Sequence, residues 1–307
     1  MIRVLSVVML AGVLVGSSLR PAFAGINVVV TIKPVHALVA AVMYGIAEPK
    51  LLVRGSASPH TYTLLPSDAQ AIEQASIFFR VSPAIEPFTN KLIAALPTDV
   101  SVISVMEAPG LKLLATRGGP IFDSAHDGSA VTSGRIDAHA WLDPVNASAM
   151  VTYIAQVLGR SDPVNAATYA TNAKVLQDRL AALAAELDRV LRPVADRPYI
   201  VFHDGMQYFE RRFGLDAIGS ISASPEIPPS AKRLIALRSK IKTVGAVCAF
   251  AEPRFSVALV STVVEDTGLR VGTLDPEAIT ISPGPELYFT LMRSLAADLK
   301  RCLAAAA

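Results

Sequence analysis

The chain has 307 residues, with 28 Lys/Arg against 26 Asp/Glu for a formal net charge of +2, and it contains five histidines, two cysteines and one tryptophan. This near-balance, with no Lys/Arg block and no interleaving of basic and aromatic residues, argues against a nucleic-acid surface. About 280 residues remain after an N-terminal leader, more than one core usually holds, so two domains are expected.

The leader, residues 1–24, reads MIRVLSVVMLAGVLVGSSLRPAFA: Arg3, an apolar stretch from Val4 to Leu19, and the ending Ala22-Phe23-Ala24. That is the pattern of a cleaved secretory signal, which predicts export and a mature start near Gly25. A membrane anchor needs roughly 20 apolar residues; this stretch is shorter and is broken by Gly, Ser and Arg20.

Short β-branched runs at 26–32, 50–53, 76–81 and 100–104 then alternate with helical patterns at 35–44, 66–75, 86–95 and 145–158. Such a rhythm predicts a mostly parallel sheet covered by helices. Residues 107–138 are too long and too rich in Gly, Pro and Ser for an ordinary connection; such a loop is either functional or disordered. In DAHAWLDP, Asp143 is placed to cap a helix starting at Pro144, with Trp141 buried beneath His139.

The segment 161–193 opens on Asp162-Pro163 and stops at Pro193, and Tyr169, Ala173, Leu176, Leu180, Leu183, Leu187 and Val190 mark one apolar face. A helix of about 28 residues would run roughly 42 Å. The stripe suits either a coiled-coil dimer or a strut lying against both halves of a monomer. The strut is preferred, because the rhythm resumes with strands at 199–203, 216–222, 244–250 and 270–274 and helices at 205–213, 229–242, 254–267 and 285–303. The expected fold is therefore α/β, with two similar lobes (25–160 and 194–307), each a mostly parallel sheet covered by helices, joined by one long backbone helix (161–193).

Ligands of open α/β sheets bind beyond the carboxyl ends of the strands. His60, His139, His203 and Asp275 all fall at strand exits, two in each half, and converge on the cleft if the lobes face one another. Three imidazoles and one carboxylate suit zinc, whereas Mn²⁺, Ca²⁺ and Mg²⁺ prefer oxygen-rich sites. Glu252 is a candidate to orient an imidazole through its second N–H, as are Asp137 and Asp143 beside His139. His36 lacks a matching ligand role and reads as a packing or helix-end residue. Cys248 and Cys302 are an even pair in an exported chain; a disulfide is favoured, with two separate buried thiols as the alternative.

The strings GSASPHTYTLLPSDAQAIEQASIFFRV, DAHAWLDPVNASAM, VFHDGMQYFERRFGL, PPSAKRLIALRSKI, CAFAEPRF and GTLDP resemble, in order and over almost the whole chain, the solute-binding proteins of zinc ABC importers, nearest to the ZnuA-like branch. The resemblance implies zinc ligands at His60, His139 and His203, with Asp275 or water fourth. It also implies a second-lobe disulfide, Cys248–Cys302, a cognate ABC permease in the inner membrane, and a candidate periplasmic zinc chaperone as a further partner. Manganese-binding members carry Glu where this chain has His203, which points to zinc. The chain departs from many zinc-uptake members in its loop, where DSAHD holds the single histidine His126; a multi-zinc reservoir is not expected. The competing readings are a manganese or iron binder of the same architecture and a zinc hydrolase, the latter without an HExxH motif or a nucleophile elbow.

Overall fold

The computed structural model describes residues 26–122, 135–222, 224, 228–253, 255 and 257–304. The first lobe carries β1 (Val28–Val30), α1 (Lys33–Val42), β2 (Lys50–Leu51), α2 (Pro66–Glu73), β3 (Ile77–Arg80), α3 (Thr89–Ile93) and β4 (Ser101–Ser104). Two long helices follow, α4 (Pro144–Ser161) and α5 (Ala166–Leu191). The second lobe is β5 (Tyr199–Val201), α6 (Gln207–Phe213), β6 (Ala217–Ser220), α7 (Ala231–Val244), β7 (Cys248–Ala251), α8 (Val257–Val264), β8 (Arg270–Thr273) and α9 (Leu287–Leu303).

Each sheet has four strands, all parallel: β2-β1-β3-β4 and β6-β5-β7-β8. The shared order places both first strands, β1 and β5, inside their sheets, where Val28–Val30 and Tyr199–Val201 are buried without the polar alternation of a half-exposed strand. Pro144 opens α4 behind the cap in which Asp143 accepts from the Val145 amide.

The largest apolar cluster runs through both lobes. It joins Val28, Val30 and Phe79 of the first sheet to Tyr199, Val201 and Phe250 of the second through Leu38, Ile154, Leu180, Leu183, Leu291 and Leu295 of the intervening helices. Smaller clusters fill the outer faces, around Ile72 and Phe78 in the first lobe and around Ile200 and Leu237 in the second. A shared core of this kind resists wide hinge opening, because parting the lobes would expose it to water.

The stripe of α5 is Tyr169, Ala173, Leu176, Leu180, Leu183, Leu187 and Leu191, all buried within this one chain. The last member is Leu191 where the sequence spacing pointed to Val190, which is half-buried. A helix of 3.6 residues per turn drifts about 20° per heptad from a 3.5 repeat, so after three heptads, about six turns, the buried position has moved on by one. The stripe is spent in the protein's own core, as expected of a strut. No helix among the described residues is long and apolar enough to cross a membrane.

The described part of 107–138 is built as a strap between the lobes. Ala115 pairs antiparallel with Ile136, and Ile121 pairs with Gly219 on the open edge of β6, where the Phe122 amide donates to Ile218 O. Gly219 is required there, since a Cβ would stand 2.4 Å from Pro120 O. His126 lies outside the described residues.

Cys248 on β7 and Cys302 on α9 form a disulfide across 54 residues, as the resemblance implied. Closing a loop of that length limits the unfolded chain by about 4 kcal/mol in the chain-entropy model. Cys248→Ser with Cys302→Ser is therefore expected to lower the unfolding midpoint by roughly 10 °C in a thermal melt, while leaving the histidine cluster, at the other end of the second sheet's strands, in place.

Candidate metal centre

Three backbone features deliver three imidazoles to the seam between the lobes. His60 stands in the irregular loop after β2, His139 opens the short 3-10 turn Ala140–Leu142 where the strap ends, and His203 lies two residues beyond β5. One ring nitrogen from each lies within 4.8 Å of the others. The ring centroids are 5.3 Å apart for His139–His203, 5.8 Å for His60–His139 and 5.9 Å for His60–His203.

Two of the rings are fixed from behind. Asp137 Oδ1 accepts from the His139 backbone amide at 3.0 Å and from its Nδ1 at 2.7 Å, and the Glu252 carboxylate accepts from His203 Nδ1. In the neutral rings these bonds put the proton on Nδ1 and leave Nε2 as the lone-pair nitrogen facing the cleft, where the two Nε2 atoms stand 3.4 Å apart. Ligands at 2.0–2.1 Å from a tetrahedral zinc are about 3.3–3.4 Å from each other, so this pair is already spaced for one ion. The Tyr208 hydroxyl, which accepts from the Leu114 amide, donates to Asp137 O and ties the strap to the ring support.

His60 is held differently. Its backbone amide donates to Ser58 Oγ at 3.3 Å, the Ser58 hydroxyl donates to Glu277 Oε1 at 3.1 Å, and that oxygen is 3.7 Å from His60 Nε2. The His60 side chain is the most exposed of the three, at 15%. Closing a full tetrahedron asks for a movement of its ring of order 1 Å.

Burial works against a charge on His203, but Glu252, Glu277 and Asp204 outweigh it and raise the pKa of the ring to about 9. Asp204 is itself paired with Arg117 of the strap, which also meets the buried Glu210 at 2.8 Å and lies over the Phe122 ring. The carboxylates of Asp137, Glu252 and Glu277 thus surround three imidazoles with negative charge, an environment that favours a cation.

Asp275 is not brought to the cluster, contrary to the sequence expectation. Its Oδ1 accepts from the Ile279 amide and its Oδ2 from the Thr280 amide and hydroxyl, each at 2.8 Å, so both oxygens serve the turn that follows β8. Ala278 takes a left-handed conformation, φ 57°, and the reversal presents Glu277 to His60. Glu277 was missed because an Asp at the strand end is the simpler reading; the only sequence signal was a second carboxylate two residues on.

Glu252 and Asp137 occupy the supporting positions expected of them, whereas Asp143 caps α4 and pairs with Arg212. Trp141 is fully buried 5.2 Å from the His139 ring. His36 stays away from the cluster, with its Nε2 2.9 Å from Pro49 O.

A family model described as "Zinc-uptake complex component A periplasmic" matches residues 28–302. The high-affinity zinc uptake system protein ZnuA of Brucella abortus (strain 2308) is 44% identical, covering 94% of each chain, and that of Paracoccus denitrificans (strain Pd 1222) is 34% identical, covering 99% of this chain and all of the relative. Among solved structures, a crystal structure of ZnuA aligns with a TM-score of 0.75 at 25% identity, covering 91% of this chain and 99% of the other. The laminin-binding protein Lmb of Streptococcus agalactiae, described as having adhesin and metal-transporting activity, aligns with a TM-score of 0.74 at 25% identity, over 90% and 100% of the two chains.

Proposed function

The chain belongs to the ZnuA family, the periplasmic A components of zinc-uptake complexes, and from that premise we propose that it captures one Zn²⁺ between its lobes and delivers it to an ABC-type importer in the inner membrane. Residues 1–24 serve as a cleaved export signal, and the protein works as a monomer. His60, His139 and His203 are the zinc ligands, and Glu277 takes the fourth position in place of Asp275. The observation that carries this reading is the set of three ring nitrogens within 4.8 Å, two of them fixed by carboxylates on their far side.

The chemistry of the donors favours zinc over manganese, since three imidazoles outnumber one carboxylate. It also favours capture over hydrolysis: a catalytic zinc keeps a position open for water, and a Glu277 carboxylate closes it. Titration of the metal-stripped protein with Zn²⁺ and then Mn²⁺ tests the proposal. One tight zinc site that Mn²⁺ does not displace is expected; equal affinity for the two ions would return the manganese reading.

Glu252→Gln is expected to weaken zinc binding about 10–100-fold near pH 8, the usual cost of losing a partner that orients a ligating histidine. The same change removes the carboxylate that raises the His203 pKa. The loss should therefore shrink as pH falls, because the variant's ring gives up its proton more readily. Competition with a chelating dye at pH 6 and pH 8 measures both parts.

A further inference from the structure

Lys33 is the first residue of α1, where a cation faces the positive end of the helix dipole, and its side chain is only 6% exposed. A buried charge at the wrong end of a helix is costly unless it is paired or hydrogen-bonded, and local rules broken in this way mark positions held for another reason. Here the compensation comes from the opposite lobe. Lys33 Nζ donates to Ala278 O at 3.1 Å, Ile279 O at 2.7 Å and Ile281 O at 3.0 Å, which accounts for all three ammonium protons.

Those carbonyls belong to the turn whose amides at 279 and 280 are capped by Asp275. The same turn receives a third tie from the Trp141 indole, which donates to Pro276 O at 3.3 Å. Asp275 and Lys33 thus grip one short loop by its donors and its acceptors. Between the two grips stand Ala278, fully buried with φ 57°, and Glu277, whose carboxylate meets Ser58 and His60 of the first lobe.

We propose that Lys33 is a positioning residue for the zinc site: reaching from the first lobe across the seam, it holds the 276–281 turn of the second so that Glu277 stands over His60. The inference rests on the zinc-capture reading above and deepens it. The carboxylate arm of the site becomes conditional on contact between the lobes. A small tilt that draws Lys33 off its three carbonyls frees the turn and leaves zinc on the imidazoles alone, which gives a docked permease a point of release without a wide hinge.

The test is a double-mutant cycle on the full protein, with zinc affinity measured for the parent, Lys33→Met, Glu277→Gln and the pair. Each single variant is expected to bind about 10–100-fold more weakly, and the pair no more weakly than the worse single. With Co²⁺ in the site, the absorption bands of Lys33→Met should shift in the same sense as those of Glu277→Gln, a change that a merely structural lysine would not cause. Should Lys33→Met fail to fold, Lys33→Arg carries the same cycle, since a planar guanidinium does not reproduce the three-way grip of an ammonium. Affinity losses that multiply in the pair, or a Lys33 variant that binds zinc like the parent, overturn the positioning role while leaving zinc capture intact. A parent protein that takes up no zinc overturns both.

Discussion

His203→Ala is expected to lower zinc affinity by about 10²–10³-fold and to leave at most a weak site on His60 and His139. Zinc bound by four protein ligands contributes about 10–16 kcal/mol, which is roughly 3–4 kcal/mol per ligand, and every 1.4 kcal/mol is tenfold in affinity. His203 is the most deeply buried of the three rings, 3% exposed, and it stands 3.4 Å from the ligand nitrogen of His139. Its removal also strips the buried Glu252 carboxylate of the imidazole N–H that it accepts from, so water cannot take the ring's space without cost. Calorimetric titration of parent and variant measures the effect. A variant within a few-fold of the parent would mean that zinc sits elsewhere.

The second large effect is that of pH. With its pKa raised to about 9, the His203 ring holds a proton at neutral pH until a metal displaces it. Below that pKa, each unit of acidification therefore costs a further tenfold in zinc affinity through this ring alone; above it the dependence from His203 disappears. The direction follows from the shift: a raised pKa means that protons compete more strongly, and the competition grows as pH falls. Between pH 8 and pH 6 zinc binding should weaken at least about 100-fold. Near pH 7.5 the binding enthalpy should vary with the ionisation enthalpy of the buffer as expected for about one proton released. An affinity flat over that range would contradict a site built on a ring held protonated by Glu252.

Much of this organisation was legible in the sequence, and for identifiable reasons. Alternating β-branched runs and helical stripes reflect elements that bury one face or both, and they announced two parallel sheets with helices around them. The three histidines could be placed because strand exits in such sheets collect at one edge, wherever the intervening chain goes. Glu252 was readable for the same reason. That Glu277 rather than Asp275 faces His60 could not be read, because it depends on the left-handed backbone of Ala278, a conformation that an alanine does not advertise. Val190 and Leu191 were exchanged because the sequence spacing followed a 3.5 repeat, whereas an α-helix turns once every 3.6 residues. Lys33 was invisible as a positioning group, since its partners are backbone carbonyls 245–248 residues away. The strap's course along β6 was hidden in the same way: its pairing to Gly219 is made by main-chain atoms and carries no side-chain signature.

X-ray absorption at the zinc edge on the one-to-one zinc complex asks whether His60, His139 and His203 hold a single ion between the lobes. Three imidazole nitrogens at about 2.0–2.1 Å and one oxygen are expected around the ion, with the more distant scattering of three histidine rings. A shell with one imidazole or none, or one dominated by oxygen, would contradict that site.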